Sequence, residues 1–416
     1  MNSVTLGDAP WLRSGATARV LELLNGNGEE ARVVGGAVRN ALMQLPVGEI
    51  DIATTAVPDE VIRRAKAAGL KSVPTGIDHG TVTLVIENQP FEVTTLREDT
   101  ETFGRKAKVA FGRDWKIDAN RRDFTINALS AGPDGAVHDY VGGLADVAAR
   151  RVRFIGEASQ RIEEDYLRIL RFFRMHAAFG AGEIDRAGYL ACIGGRAGLS
   201  SLSAERVRME MLKLLVAGGA AGAIEAMADA GLLQAITGGV TYGGTFAAMI
   251  AAEHALGLTP DAMRRLAALA VAVTEDARRL ATRLRLSNTE AKALDSMGHR
   301  WWRLAGMDEA RAKRRLYRLG EGPYRDRLLL AWARAGGDGG DEDWIALARL
   351  PERWAAPKFP LKAADFTARG IAEGPALGHV LTLAEDAWLA GDFPLDAAAL
   401  ASIADQAVAR LKGDAS

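Results

Sequence analysis

VVGGAVRNALMQLPVGEIDIAT, residues 33–54, packs three local signals into one short run. An apolar strand reaches Val34 and is broken by Gly35-Gly36. A helix is expected from about Ala37, with Arg39 in its first turn. Paired glycines let a backbone approach a phosphate closely, and a helix N-terminus presents free N–H groups to it. Arg39 adds a guanidinium fork of the kind that grips phosphate at two points. Taken alone, a strand–Gly-Gly–helix unit is more often plain turn chemistry. The run then returns to strand at Glu49-Ile50-Asp51-Ile52. Alternate residues of a strand share a face, so Glu49 and Asp51 are expected to project together while Ile50 and Ile52 enter the core. Two neighbouring carboxylates repel unless a cation neutralises them. Mg²⁺ suits that position because it takes carboxylate and phosphate oxygens together. By itself the pair reads more simply as the wet edge of an amphipathic strand. Glu92, in FEVTT (91–95), is a third carboxylate on a strand and would complete a two-metal cluster.

Outward from this run the chain changes character near residue 150. Before it, ARVVGGAV (31–38), EIDIAT (49–54), GTVTLVIE (80–87) and FEVTTL (91–96) are short and β-branched. After it, apolar residues recur at helical spacing, as in EEDYLRILRFFRMHAAF and AERVRMEMLKLLVAG. The expected fold class is α+β: a small mixed sheet with helices, followed by an all-α remainder. GGDGGDED (336–343) reads as a late linker. The 416 residues are 48% hydrophobic and 25% charged, which excludes a largely disordered chain. No apolar run is long enough to span a bilayer, so no membrane association is expected. The lone Cys192 cannot form an internal disulfide, which fits a reducing compartment and a cytoplasmic location. Lys and Arg number 52 against 53 Asp and Glu, a net charge of -1. That balance argues against a protein that coats nucleic acid indiscriminately, while leaving room for local basic patches.

The order of these features resembles the polymerase-β-like nucleotidyltransferases. More narrowly it resembles the class II family of tRNA nucleotidyltransferases and bacterial poly(A) polymerases. HGTVTL (79–84) and FEVTTLR (91–97) are similar to the middle strands of that family's catalytic head, and RRDFTINAL (121–129) to its second motif. HDYVGGLADVAARRVRFIG (138–156), EEDYLRILRFFR (163–174) and SAERVRMEM (203–211) follow as third, fourth and fifth. The likeness covers residues 30–212. It implies a polymerase-β-like catalytic head over 1–150, a helical neck over 151–215, a helical RNA-binding body over 216–335 and a helical tail over 336–416.

The resemblance also implies roles. Glu49 and Asp51 match the metal-binding pair, with Mg²⁺ as cofactor, although the first member is usually Asp and is Glu here. Gly35, Gly36 and Arg39 match the phosphate turn. Arg122 matches a triphosphate contact, while Asp123 and Asn127 would orient the ribose or stabilise the turn. Phe124 and Ile126 are read as core. In the fourth motif, Asp165 and Arg168 are expected three apart on one helix face. Together they would accept from the amino group and donate to the ring nitrogen of cytosine or adenine. Uracil and guanine place a carbonyl where the amine should be, which leaves the carboxylate facing an acceptor. Arg171 and Arg174 continue the series as nucleotide contacts. SAERVRMEM is expected to brace the helical region rather than take part in chemistry.

LREDTETFGRKAKVAFGRDW (96–115) is polar and reads as too long for a tight hairpin. It resembles the flexible loop of the family, and its Arg105 and Lys106 could reach RNA phosphates. Arg311, Arg314 and Arg315 would contact RNA from the body. The implied activity is template-independent addition of CCA to the tRNA 3′ end from CTP and ATP, with release of pyrophosphate. A poly(A) polymerase, a CC- or A-only enzyme, and a non-catalytic RNA-binding relative are the competing readings.

Overall fold

The protein, described by a computed structural model, is defined over residues 4–103, 106–337 and 339–413; the side chains of 78 and 98–109 are outside that description. Two compact units divide it. One takes Met1–Thr241 with Arg283–Arg285, the other Tyr242–Thr282 with Leu286–Ser416.

The first unit is built on a seven-stranded sheet. Its strands are β1 (Ala31–Val34), β2 (Asp51–Thr54), β3 (Lys71–Gly76), β4 (Thr81–Ile86), β5 (Gln89–Thr95), β8 (Ser130–Ala131) and β9 (Val137–His138), in the order β3-β4-β5-β2-β1-β8-β9. β2 runs parallel to β5 and antiparallel to β1. Val34 pairs with Asp51, Asp51 pairs with Glu92, and Val34 also pairs with Ser130. The glycine turn, two carboxylates and the end of RRDFTINAL therefore meet at one end of the sheet. Helices Gly15–Leu24 and Pro58–Ala67 pack nearby, and the buried Arg64 ties them by donating to the carbonyls of Leu24 (3.0 Å) and Gly26 (3.0 Å).

Phe124 begins an aromatic chain through Phe154 (4.9 Å), Phe172 (5.3 Å) and Phe173 (5.5 Å), which joins the RRDFTINAL segment to helix Leu167–Phe179. Phe124 and Ile126 are completely buried, as a core reading requires. The helices that follow, through Leu232–Thr237, complete the unit.

The second unit is entirely helical among its described residues. One core gathers Leu304, Leu316, Tyr324 and Leu328; another surrounds Trp388 with Phe366, Val380 and Ala404. Buried Glu253 neutralises Arg264 (2.9 Å) and Arg265 (2.7 Å), so neither guanidinium is left as an unpaired charge in the interior.

Three local expectations are corrected. β2 begins at Asp51, and residues 45–50 are not strand, so Glu49 enters the site from a loop and strand alternation does not place it. Residues 96–115 are not too long for a hairpin: β6 (Arg97–Phe103) and β7 (Lys106–Phe111) pair antiparallel, and Gly112 N–H closes the base on Leu96 O at 2.8 Å. Length was a poor guide because both arms are strand. Finally, the helix expected through EEDYLRILRFFR is interrupted. One helix ends at Glu164, Asp165 is extended (φ −156°, ψ 105°), and the next begins at Leu167. Asp165 and Arg168 therefore do not share a helix face.

Candidate active site

The sheet register fixes two of the three carboxylates. Asp51 heads β2 beside Glu92 of β5, and Glu49 lies two residues upstream. Asp51 keeps contact with solvent, yet the protein packed around it raises its pKa; Glu92 and then Glu49 raise it further, and Arg122 opposes them. Two acids that raise the proton affinity of a third form a site that a divalent cation would relieve. Their oxygens suit a hard ion such as Mg²⁺. Among the described residues, no three His, Cys, Asp or Glu side chains close to ligating distance. The fit rests on donor chemistry and register.

The residues around the glycine turn are tied to one another. Gly35 sits at φ +69°, where a side chain is strained, and its N–H bonds Leu129 O at 3.0 Å. Helix Gly36–Leu42 starts there, one residue earlier than the sequence suggests. Arg39 is buried. Its guanidinium stacks on the Phe179 ring at 3.6 Å and donates to Asn127 Oδ1. Burial, then Arg174, lowers its pKa to about 10, while Asp123 opposes the shift. Buried Asp118 anchors Arg121 (2.8 Å) and Arg122 (3.1 Å). Asp123 accepts from Arg171 Nε at 2.8 Å, Phe124 N–H at 2.8 Å and Asn127 Nδ2 at 3.3 Å. Burial pushes the Asp123 carboxyl up, but Arg171 and these hydrogen bonds bring it below the ordinary carboxylate value.

Arg168, Arg171, Arg174, Met175 and Phe179 repeat at three- and four-residue spacing along helix Leu167–Phe179. They line a cavity of about 480 Å³ whose other walls are Gly35, Gly36, Arg39, Asp51, Arg122, Asp123, Asn127 and Asp165. The break at residue 165 thus still delivers Asp165 to the same space as Arg168. Glu49 and Glu92 are not among the lining residues.

The sequence of the first unit carries matching family signatures. Residues 31–153 match the Poly A polymerase head domain, and 196–240 match the probable RNA and SrmB-binding site of polymerase A. The mitochondrial CCA tRNA nucleotidyltransferase 1 of Danio rerio is 34% identical over 382 residues, spanning 88% of this chain and 85% of that protein. The chain belongs to the tRNA nucleotidyltransferase and poly(A) polymerase family. A CCA-adding enzyme of Leuconostoc citreum is 40% identical over 223 residues, 53% of this chain and 54% of the relative. The crystal structure of the Bacillus stearothermophilus CCA-adding enzyme with CTP superposes with a TM-score of 0.73 at 25% identity, covering 97% of this chain and 99% of that one. The Thermotoga maritima CCA-adding enzyme complexed with tRNA shares the fold, with a TM-score of 0.72, 20% identity, and coverage of 99% and 100%.

Several members of this site went unnamed in the sequence or, like Arg206 and Glu210, were read only as bracing. Asp118 and Glu164 each stand four residues before an arginine they hold, Arg122 and Arg168, a spacing that could have flagged both. Arg206 and buried Glu210 reach the site from helix Ala204–Leu215 and had no local signal of a partner. The RNA candidates divide. Arg105 lies outside the described residues, and only the backbone of Lys106 is described. Arg311, Arg314 and Arg315, with Arg303 and Arg318, line a concavity of about 560 Å³ in the second unit. Among the described residues Arg303, Arg314 and Arg315 make no ion pair, while Arg318 binds Asp386 and Arg311 lies 4.0 Å from Asp308.

Proposed function

We propose that this protein completes the 3′ end of tRNA with C, C and A, without a nucleic-acid template, consuming CTP and ATP and releasing pyrophosphate. The observation that carries the reading is the single cavity in which the glycine turn and Asp51 face Asp165, Arg168, Arg171 and Arg174. Relatives named for CCA addition, from bacteria and mitochondria, support the same substrate.

The RNA 3′-oxygen attacks the α-phosphorus in line, the bond to the pyrophosphate oxygen breaks, and the hydroxyl proton leaves to solvent. Positioning and charge neutralisation supply most of the rate. The Gly36 N–H at the start of its helix, with Arg39 and Arg122, holds the triphosphate. Asp123 and Asn127 fix Arg171 and Arg39 and face the ribose. Asp165 accepts from the amino group of cytosine or adenine while Arg168 donates to the ring nitrogen. Mg²⁺, held by Asp51 and Glu49 with Glu92 beside them, would neutralise phosphate oxygens and make the 3′-hydroxyl more acidic.

In this reading 1–150 is the catalytic head, 151–215 the base-reading neck, 216–335 the RNA-binding body and 336–416 the tail. The arginine concavity follows RNA phosphates. No helix among the described residues is long and apolar enough to cross a membrane. The lone, buried Cys192 supports a cytoplasmic location, although several relatives are mitochondrial. Calorimetric titration with each NTP in Mg²⁺ tests the base-reading assignment. CTP and ATP should bind at least about tenfold tighter than UTP and GTP. Equal binding of all four would overturn it.

A further inference from the structure

The base-reading carboxylate is held by a residue that sequence reading gave to bracing alone. Asp165 interrupts the helix, so no side chain of the flanking helices fixes its carboxylate. Arg206 does. Its Nη2 donates to Oδ2 at 2.6 Å and its Nη1 to Oδ1 at 3.2 Å, a fork that sets the plane of the carboxylate. Leu167 N–H donates to Oδ1 at 3.1 Å. An ionised carboxylate offers about four lone-pair positions. Three are occupied, which leaves one for a single N–H donor.

Arg206 does not line the nucleotide cavity. It lines a separate cavity of about 730 Å³, where it meets Asp165 from the other side together with Glu163, Glu164 and Tyr166. The partner group is restrained independently: Arg168 Nη1 bonds Glu164 Oε2 and Arg161 O (2.6 Å). Each half of the reading pair thus has its own counter-charge. Without Arg206, the charges left near Asp165 are those facing the cavity: Arg168, three residues along, and Arg171, whose own charge already feels Asp165. Asp165 would turn toward them, and the acceptor meant for the base would be spent inside the protein.

We propose that Arg206 is a positioning residue for nucleotide selection, holding Asp165 with one acceptor site toward the base and keeping it off Arg168. The proposal rests on the base-reading role given to Asp165 above. Its test compares wild type, Arg206→Ala, Arg206→Lys, Asp165→Asn and the Asp165→Asn/Arg206→Ala double variant on a tRNA transcript lacking CCA, with CTP and UTP separately.

Arg206→Ala should raise the KM for CTP and reduce discrimination against UTP by about tenfold, as expected when one oriented hydrogen bond is lost, with a smaller change in kcat. Arg206→Lys, a point charge that cannot grip both oxygens, should recover part of the selectivity. In the Asp165→Asn background, removing Arg206 should change discrimination no further. Unchanged CTP/UTP discrimination in Arg206→Ala would overturn the proposal, as would fully additive losses in the double variant. If Arg206→Ala does not fold, the same readings are taken from Arg206→Lys, where wild-type selectivity overturns it. A wild-type protein that incorporates neither CMP nor AMP defeats the proposed function instead, so the two failures are distinct.

Discussion

Asp51 is where opposing demands on one side chain are clearest. Burial first, then its neighbours Glu92 and Glu49, raise its pKa, so the folded state holds the proton more tightly than the unfolded chain. The unfavourable charge appears as pH rises through the ordinary carboxylate range, and the metal-free protein loses stability in that window. Asp51→Asn should therefore raise the Tm of the metal-free protein at neutral pH by about 1–3 °C, read by calorimetry, while lowering nucleotide incorporation at least about a thousandfold. A Tm below wild type would show that Asp51 is stabilising as it stands. Gly35 is constrained differently. At φ +69°, a Cβ there would stand 3.4 Å from Arg122 Nη1 and 3.5 Å from Asn127 O. Gly35→Ala should cost about 1–2 kcal/mol in denaturant unfolding, from the strained φ and not from a clash, and weaken NTP binding by shifting the turn.

At the scale of elements, the site is one end of the sheet facing one helix, with a second helix behind it. Helix Ala204–Leu215 supplies buried Glu210, which binds Arg174 and lies 3.6 Å from Arg171. Glu210→Ala leaves two arginines without their shared counter-charge and should cost about 2–3 kcal/mol, measured by denaturant unfolding. Much of this was legible in sequence. The glycine turn and the strands around Ile52, Leu84 and Val93 announce themselves through local chemistry. So does the arginine series 168–171–174, because three-residue spacing is a property of one helix. What was not legible depends on contacts between distant segments. That Glu92 sits beside Asp51 follows from parallel pairing of β2 with β5, which alternation alone cannot specify. The break at Asp165 was hidden because its flanks are both good helix, and Arg206 gave no sign of the carboxylate it holds. The hairpin of β6 and β7 was missed because polar, charged strands lack the apolar alternation that marks a buried one.

Over the whole molecule, a net charge of -1 conceals strong local asymmetry. Five arginines share one concavity in the second unit, and the Arg315 guanidinium is pushed below its ordinary pKa by burial and by Arg303, Arg318 and Arg300. Like charges so placed favour a polyanion. Other basic positions are taken up within the protein: Arg283 donates to Ile236 O at 2.8 Å, and Arg279 binds Asp276 at 2.7 Å. Replacing Arg311, Arg314 and Arg315 together by Glu should raise the KM for tRNA by at least about tenfold and flatten the logarithmic salt dependence of RNA binding by roughly three, leaving the KM for CTP unchanged. A balanced total with a local arginine surface suits the proposed activity, in which each RNA must be released after a short addition. The product itself is the most direct test of that claim. A tRNA transcript ending before CCA is incubated with Mg²⁺, CTP and ATP, and the extended RNA is sized and sequenced. The expected product is longer by C, C and A and grows no further. Open-ended AMP addition, or no extension at all, would contradict it.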